Sequence, residues 1–199
     1  MDIKYLMPVL GFFLGSIPFG YILVKITTGS DIQETGSGNI GATNVFRKSR
    51  TVGILTFLLD AGKGYGTVLV AGLLGADITW QSLAAVASIL GHVFTVFLRC
   101  RGGKGVAVGF GAYLALTPAS LGPTMIVFFL TAILTQYVSL ASILATGTYP
   151  LWVYLHREPS IVFWTAVVGA AIIVAKHHEN IRRLLSGKES KFALGGRGR

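Results

Sequence analysis

The chain has 199 residues, of which 52% are hydrophobic and 13% charged, and its 17 Lys and Arg against 8 Asp and Glu give a formal net charge of +9. Soluble domains carry about a quarter charged residues, so this composition, with a mean hydropathy of +0.67, excludes a soluble globular protein and indicates an integral membrane protein. The basic surplus does not indicate nucleic acid, because it is scattered over short loops with no aromatic-interleaved basic surface and no nucleic-acid-binding module.

Stretches able to cross a hydrocarbon core, roughly twenty apolar residues each, recur along the whole chain. The first, Tyr5–Ile26, follows a weak n-region at Met1–Tyr5 and reads as a span, not as a cleavable signal peptide. Val52–Leu74 comes next, with Asp60 and Lys63 inside it, and then Ile78–Leu98. Val106–Tyr154 is almost unbroken; Thr117-Pro118, Gly122-Pro123 and Gln136-Tyr137 divide it into Val106–Thr117, Leu121–Thr135 and Ser139–Leu155. The last span, Ile161–Ala175, follows the turn His156-Arg157-Glu158-Pro159.

The basic residues orient these spans. Arg47, Lys48 and Arg50 lie in the first loop, Arg99, Arg101 and Lys104 in the third, and Lys176, Arg182, Arg183, Lys188 and Lys191 in the tail, while the other connections carry little beyond Lys4 and Arg157. The positive-inside rule then places the first loop, the third loop and the C-terminus in the cytoplasm. An even number of spans must separate Lys104 from Lys176. The expected fold is therefore all-α, a polytopic transmembrane helix bundle of about seven spans, with the N-terminus outside and the C-terminus cytoplasmic. Val106–Thr117 is too short to cross alone and is expected to be lengthened by the glycine turn before it, or to start below the surface. Residues 1–193 read as one transmembrane domain, and the Gly/Arg-rich Leu194–Arg199 as a disordered or vector-derived tail.

Three polar clusters interrupt this apolar chain, all on the cytoplasmic side. In the first, Gly36, Gly38 and Gly41 permit close backbone approach, Ser37, Asn39, Thr43 and Asn44 add hydrogen-bonding groups, and Arg47 supplies an anion clamp. Alone it also fits a turn and a capped helix. The second, Arg101-Gly102-Gly103-Lys104-Gly105, opens an apolar helix, where free amides, the helix dipole and the Lys104 charge suit a phosphate. Lys104 is followed by Gly105, so this is not a nucleotide-binding Walker A loop. Membrane-surface anchoring by the arginine and lysine is the competing reading.

In the third cluster, His177 and Asn180 lie three apart on one helical face, suited to orienting a hydroxyl, while Arg182 and Arg183 fit anionic lipid. Asp60 and Lys63, at helical spacing inside a span, are expected to form a structural bridge. His92 is expected to be packed and hydrogen-bonded. Cys100 is the single cysteine, which excludes an intrachain disulfide and a cysteine-rich metal site. It lies between Arg99 and Arg101 with no base beside it, and reads as an inert thiol.

The chain resembles the acyl-phosphate:glycerol-3-phosphate acyltransferase family (PlsY), bacterial integral membrane enzymes. The resemblance rests on Gly15-Ser16-Ile17-Pro18-Phe19-Gly20-Tyr21, Gly36 to Asn44, Leu59-Asp60-Ala61-Gly62-Lys63-Gly64, Gly91-His92, Arg101 to Gly105 and His177-His178-Glu179-Asn180-Ile181-Arg182-Arg183. It implies transfer of a fatty acyl group from acyl phosphate to the 1-hydroxyl of sn-glycerol 3-phosphate, giving 1-acylglycerol 3-phosphate (lysophosphatidic acid), the first step of phospholipid synthesis. It implies catalytic roles for His177, Asn180 and Ser37. Substrate or phosphate binding falls to Ser37, Gly38, Asn39, Gly41, Thr43, Asn44, Arg47, Arg101, Gly102, Gly103 and Lys104, and structural support to Asp60, Lys63 and Glu179.

No cofactor and no metal are expected. The expected partners are the two substrates and membrane lipid, with contact to a soluble acyl-phosphate-producing enzyme left open, and the expected location is the bacterial inner membrane with the site facing the cytoplasm. The His-x-x-x-x-Asp pattern of acyl-CoA-using acyltransferases is absent: the residues at that spacing from His92, His156, His177 and His178 are Phe97, Ile161, Arg182 and Arg183. A transporter or channel for a small organic anion is the competing class. It predicts polar groups near the midplane and repeated, interrupted helices, whereas these polar groups gather at one interface and no repeat is visible.

Overall fold

A computed structural model describes residues 2–192, so the tail at 194–199 lies outside the described residues. The described chain is helical, with no strand: α1 (Met7–Ser16), α2 (Phe19–Thr28), α3 (Ala42–Lys48), α4 (Arg50–Leu73), α5 (Ile78–Val93), α6 (Val106–Leu116), α7 (Pro118–Thr135), α8 (Val138–Leu155), α9 (Ser160–Ala175) and α10 (His178–Leu185). Five segments are long and apolar enough to cross a membrane, namely Ile3–Thr28, α4, Ile78–Leu98, α7 and α8; α9 with α10, bent by 57° where they meet, makes up to six. The expected seven included α6, whose 11 residues extend only about 16 Å.

Two expected boundaries move, both at prolines. The first span is not continuous: it breaks between α1 and α2, where Ile17 leaves the helical conformation ahead of Pro18 because a residue preceding proline is driven out of the α region. Conversely, Gly122-Pro123 does not interrupt α7, which starts at Pro118 and carries Pro123 in its interior. Pro118 sits at the first helical position, where its missing N–H costs nothing.

The break at Pro18 organises the bundle. Carbonyls freed there need donors in a low-dielectric interior, and they find them: Lys63 Nζ donates to the Ile17 carbonyl at 2.6 Å and Thr95 Oγ1 to the Ser16 carbonyl at 2.5 Å. The same ammonium pairs with Asp60 Oδ1 at 2.8 Å and donates to His92 Nδ1 at 3.0 Å, so its charge is met by a carboxylate and two of its protons by acceptors. Asp60 and Lys63 form the expected bridge and His92 is packed and hydrogen-bonded; all three are buried, and the network ties α4 and α5 to the α1–α2 junction.

Helix α4 also packs along α6 at backbone distance. A Cβ on Gly64 would stand 2.1 Å from the Val108 carbonyl oxygen, and one on Gly111 1.8 Å from that of Ala61. Small residues are what let helices approach this closely in a bilayer. Gly62, two residues before Gly64 and so on the opposite face of α4, meets open space. Gly111→Val should therefore destabilise the bundle by at least the ~1–3 kcal/mol of ordinary overpacking, whereas Gly62→Val should leave it near wild type. Thermal unfolding of the two purified variants in detergent checks the contrast.

Candidate active site

One end of the bundle carries a polar cavity of about 170 Å³ into which all three sequence clusters contribute. The first cluster forms the loop into α3, shaped around the buried side chain of Asn44. Asn44 Oδ1 accepts from the Ser37 amide at 3.1 Å, and its Nδ2 donates to the carbonyls of Thr35 and Asn39, both at 2.9 Å. Asn44 thus folds the loop and leaves Ser37, Asn39, Gly41, Thr43 and Arg47 along the cavity wall.

The glycine loop supplies the opposite wall by different means from those expected. After α5, Arg99 and Cys100 both adopt left-handed backbone, φ 51° and 62°, which turns the chain back on itself. The Gly102 amide then donates to the Val93 carbonyl and that of Gly103 to the His92 carbonyl, at 3.2 and 3.1 Å. Neither amide is free for a phosphate, which corrects the expectation for Gly102 and Gly103. Their glycine character serves packing: a Cβ at Gly103 would stand 2.1 Å from His92 Nε2. Arg101 is exposed and, like Gly38 and Glu179, lies off the cavity, with Glu179 paired to Arg183 at 3.8 Å. Lys104 does reach it, and so do Asp60 and His92 at its floor.

The third cluster sits where α9 bends into α10. His177 caps α10, and both His177 and Asn180 are buried against the cavity, whereas His178 is exposed. His177 Nδ1 lies 2.7 Å from the Ile173 carbonyl, which can only accept, so Nδ1 carries the proton and Nε2 is left as an acceptor. Burial pushes the His177 pKa down to about 4, so the ring is neutral at physiological pH. Lys104 Nζ donates to Asn180 Oδ1 at 2.5 Å. Burial, and then the Arg183 charge, push Lys104 down to about 8.

The sequence reading did not place five polar lining residues in the site: Ser139, Ser142, Arg183, Glu189 and Ser190. Glu189 is the centre of this group. Its carboxylate accepts from Ser139 Oγ at 2.6 Å, Asn180 Nδ2 at 2.7 Å and Arg183 Nε at 2.6 Å. Burial works to raise its pKa, but these three donors outweigh that and hold it below the ordinary carboxylate range. The chain end is drawn in with it: Arg47 donates to the Ser190 carbonyl at 3.5 Å, the Phe192 amide to the Gln136 carbonyl at 2.8 Å, and the Phe46 and Phe192 rings lie 5.2 Å apart. The available signals were the polar break at Gln136-Tyr137, with Ser139 and Ser142 spaced three apart after it, and a single acid between Lys188 and Lys191.

An apolar slot of about 320 Å³ adjoins the polar cavity and shares Phe57, Val106, Phe128 and Ser142 with it. Each of three helices lines it with one face: Val106, Gly109, Phe110 and Tyr113 on α6, Leu121, Thr124, Met125 and Phe128 on α7, and Ser142, Ala145, Thr146 and Tyr149 on α8. These positions follow the same i, i+3, i+4, i+7 spacing, so the slot runs parallel to the helix axes.

A helical membrane protein with cations and hydrogen-bond donors at one end, opening into a hydrocarbon slot, is fitted to a phosphorylated amphiphile. The comparisons agree with that class. Residues 5–187 match the family model described as glycerol-3-phosphate acyltransferase. The chain is 47% identical over 182 residues to the glycerol-3-phosphate acyltransferase of Geotalea daltonii, covering 91% of this chain and 93% of that protein. Against the one from Geobacter sulfurreducens it is 45% identical over 191 residues, with 95% and 97% covered.

Two crystal structures of PlsY, an integral membrane glycerol 3-phosphate acyltransferase, superpose on it. The glycerol 3-phosphate form gives a TM-score of 0.91 at 38% identity with 96% of each chain covered. The lysophosphatidic acid form gives 0.87 at 36%, covering 96% of this chain and 95% of that one. The chain belongs to the glycerol-3-phosphate acyltransferase family of the PlsY type.

The depressed pKa of Lys104 has a sign that can be read. Its charged form prevails below about 8 and is lost above, so affinity of the cavity for inorganic phosphate should fall as pH rises through that value. In Lys104→Arg the charge persists throughout, since the guanidinium pKa exceeds about 12, and the affinity should stay level over the same range. Calorimetric phosphate titrations from neutral to alkaline pH compare the two.

Proposed function

We propose that this protein transfers a fatty acyl group from acyl phosphate to the 1-hydroxyl of sn-glycerol 3-phosphate, releasing orthophosphate and forming 1-acylglycerol 3-phosphate, as the first committed acylation in phospholipid synthesis. The observation that carries the reading is the continuity of a cationic cavity with an apolar slot, since the two substrates together bring phosphate groups and one hydrocarbon chain. Lys104 and Arg47 hold phosphate by charge, and Ser37 and the α3 loop add hydrogen bonds. His177 Nε2 and Asn180 orient the attacking hydroxyl. The acyl chain lies in the slot between α6, α7 and α8.

The step balances without a covalent enzyme intermediate. The hydroxyl oxygen attacks the acyl carbonyl carbon, the bond from that carbon to the phosphate oxygen breaks, and orthophosphate leaves with the electron pair. An acyl phosphate is a mixed anhydride, so positioning and charge stabilisation provide most of the acceleration. A histidine with a pKa near 4 is a weak acceptor for the hydroxyl proton at neutral pH, whereas a phosphate oxygen, with a second pKa of about 6, is a better one. His177 therefore orients and a substrate phosphate takes the proton.

The assay is lysophosphatidic acid formation by purified protein given acyl phosphate and glycerol 3-phosphate, with acyl-CoA as the alternative donor; turnover only with acyl-CoA would reject the reading. His177→Asn separates the two proton routes. A general base contributes roughly 10²–10⁴-fold, so His177→Asn should lose less than about 10²-fold in kcat and keep the acid limb of the pH profile. A larger loss, with the limb abolished, would make His177 the base.

The basic loops support a location in the bacterial inner membrane with the cavity facing the cytoplasm. A Ser37→Cys, Cys100→Ser protein should react with an impermeant maleimide only after the cells are permeabilised. Labelling of intact cells would reverse the orientation.

A further inference from the structure

We infer that the stacked rings of Tyr149 and Tyr113 form the floor of the acyl slot and set the length of the chain the protein prefers to transfer. The inference rests on the acyl transfer proposed above and adds to it the residue that selects the donor.

The slot has a defined depth. Its mouth is at Ser142, which also lines the polar cavity, and its far end is at Tyr149 on the same face of α8. Seven residues separate them, about 10 Å along a helix. Helix α6 gives the same depth from Val106 to Tyr113, and α7, running the other way, from Phe128 to Leu121.

The floor is closed and held. The two rings lie 4.2 Å apart, tilted by 34°, and are 4% and 2% exposed for Tyr113 and Tyr149. Thr117 Oγ1 and Tyr149 Oη share a hydrogen bond of 2.5 Å, and Tyr113 Oη donates to the Thr165 carbonyl at 3.4 Å. Behind them Val153, Val162 and Ala166 are fully buried in the same core cluster. Close to the mouth the wall is different: Phe57 and Phe129 are 38% and 54% exposed. A chain that fits the depth packs along the slot as far as the two tyrosine rings. A longer one must bend out past these rings into lipid and forgoes the packing contacts of the slot for every methylene expelled.

Competition between saturated acyl phosphates of graded length, with products resolved by mass, reads the ratio of kcat/KM values for each pair. Thr146→Phe, which fills the slot one turn above the floor, should move the preferred length toward shorter chains. Tyr149→Ala should move it toward longer ones. Tyr149→Phe, which keeps the ring and loses only the bond to Thr117, should leave the profile unchanged. A profile identical to wild type in Thr146→Phe and Tyr149→Ala, both folded, would overturn the inference, as would a shift in Tyr149→Phe equal to that of Tyr149→Ala.

If acyl phosphate proves not to be a donor, the proposed reaction fails by itself. The floor is then read from the thermal stabilisation given by lysophosphatidic acids of graded length, where the same directions of shift support it and their absence refutes it.

Discussion

The ammonium of Lys63 is the point on which this bundle turns. It is buried within an apolar span, where an unpaired charge is among the most costly groups a membrane protein can hold. It is tolerated because its charge is paired with Asp60 and it donates to His92 and the Ile17 carbonyl. The last of these lacks its regular helical donor four residues on because Pro18 breaks the first span. Charge and break justify one another: the lysine satisfies a carbonyl that the proline exposes, and the break provides the acceptor that a continuous helix would withhold.

From that network the site follows by short steps. His92 receives Lys63 at one ring nitrogen, while its other nitrogen and its carbonyl set the position of Gly103. Gly103 precedes Lys104, which bonds Asn180, and Asn180 reaches Glu189. A chain of contacts therefore leads from a charge inside the membrane to the cations at its surface. The cavity contains Lys104, Arg47 and Arg183 against the carboxylates of Asp60 and Glu189, a balance that holds positive charges close together until an anionic ligand joins them.

Much of this was legible in the sequence because it is written in patterns of charge and apolarity. The helical class, the division at Thr117-Pro118, the Asp60–Lys63 pair and the gathering of Ser37, Arg47, Lys104, His177 and Asn180 follow from hydropathy, spacing and loop charge. What was missed depends on long-range geometry. Glycines beside a lysine suggest an anion cradle, yet Gly102 and Gly103 spend their amides on the end of α5, a pairing between residues that no local pattern links. Glu189 stood among lysines in a tail with no periodicity, and only the fold brings it to Ser139. Pro18 and Pro123 show the limit of local rules in both directions, since one broke a helix that looked continuous and the other did not interrupt one that looked divided.

The return of residues 189–192 to the cavity bears on how the protein is made. Arg47 and Ser190 touch across 143 positions of sequence, and Glu189 secures residues contributed by α8 and α10. Helices enter the membrane in order of synthesis, so the first loop and its arginine are delivered long before their counterpart has left the ribosome. Until residue 189 emerges, Arg183 and Asn180 lack their carboxylate and the polar cavity lacks part of its lining. Closure of the polar cavity is thereby deferred until residue 189 has been made, and a chain cut short before it can insert its spans without joining Asn180, Arg183 and Ser139.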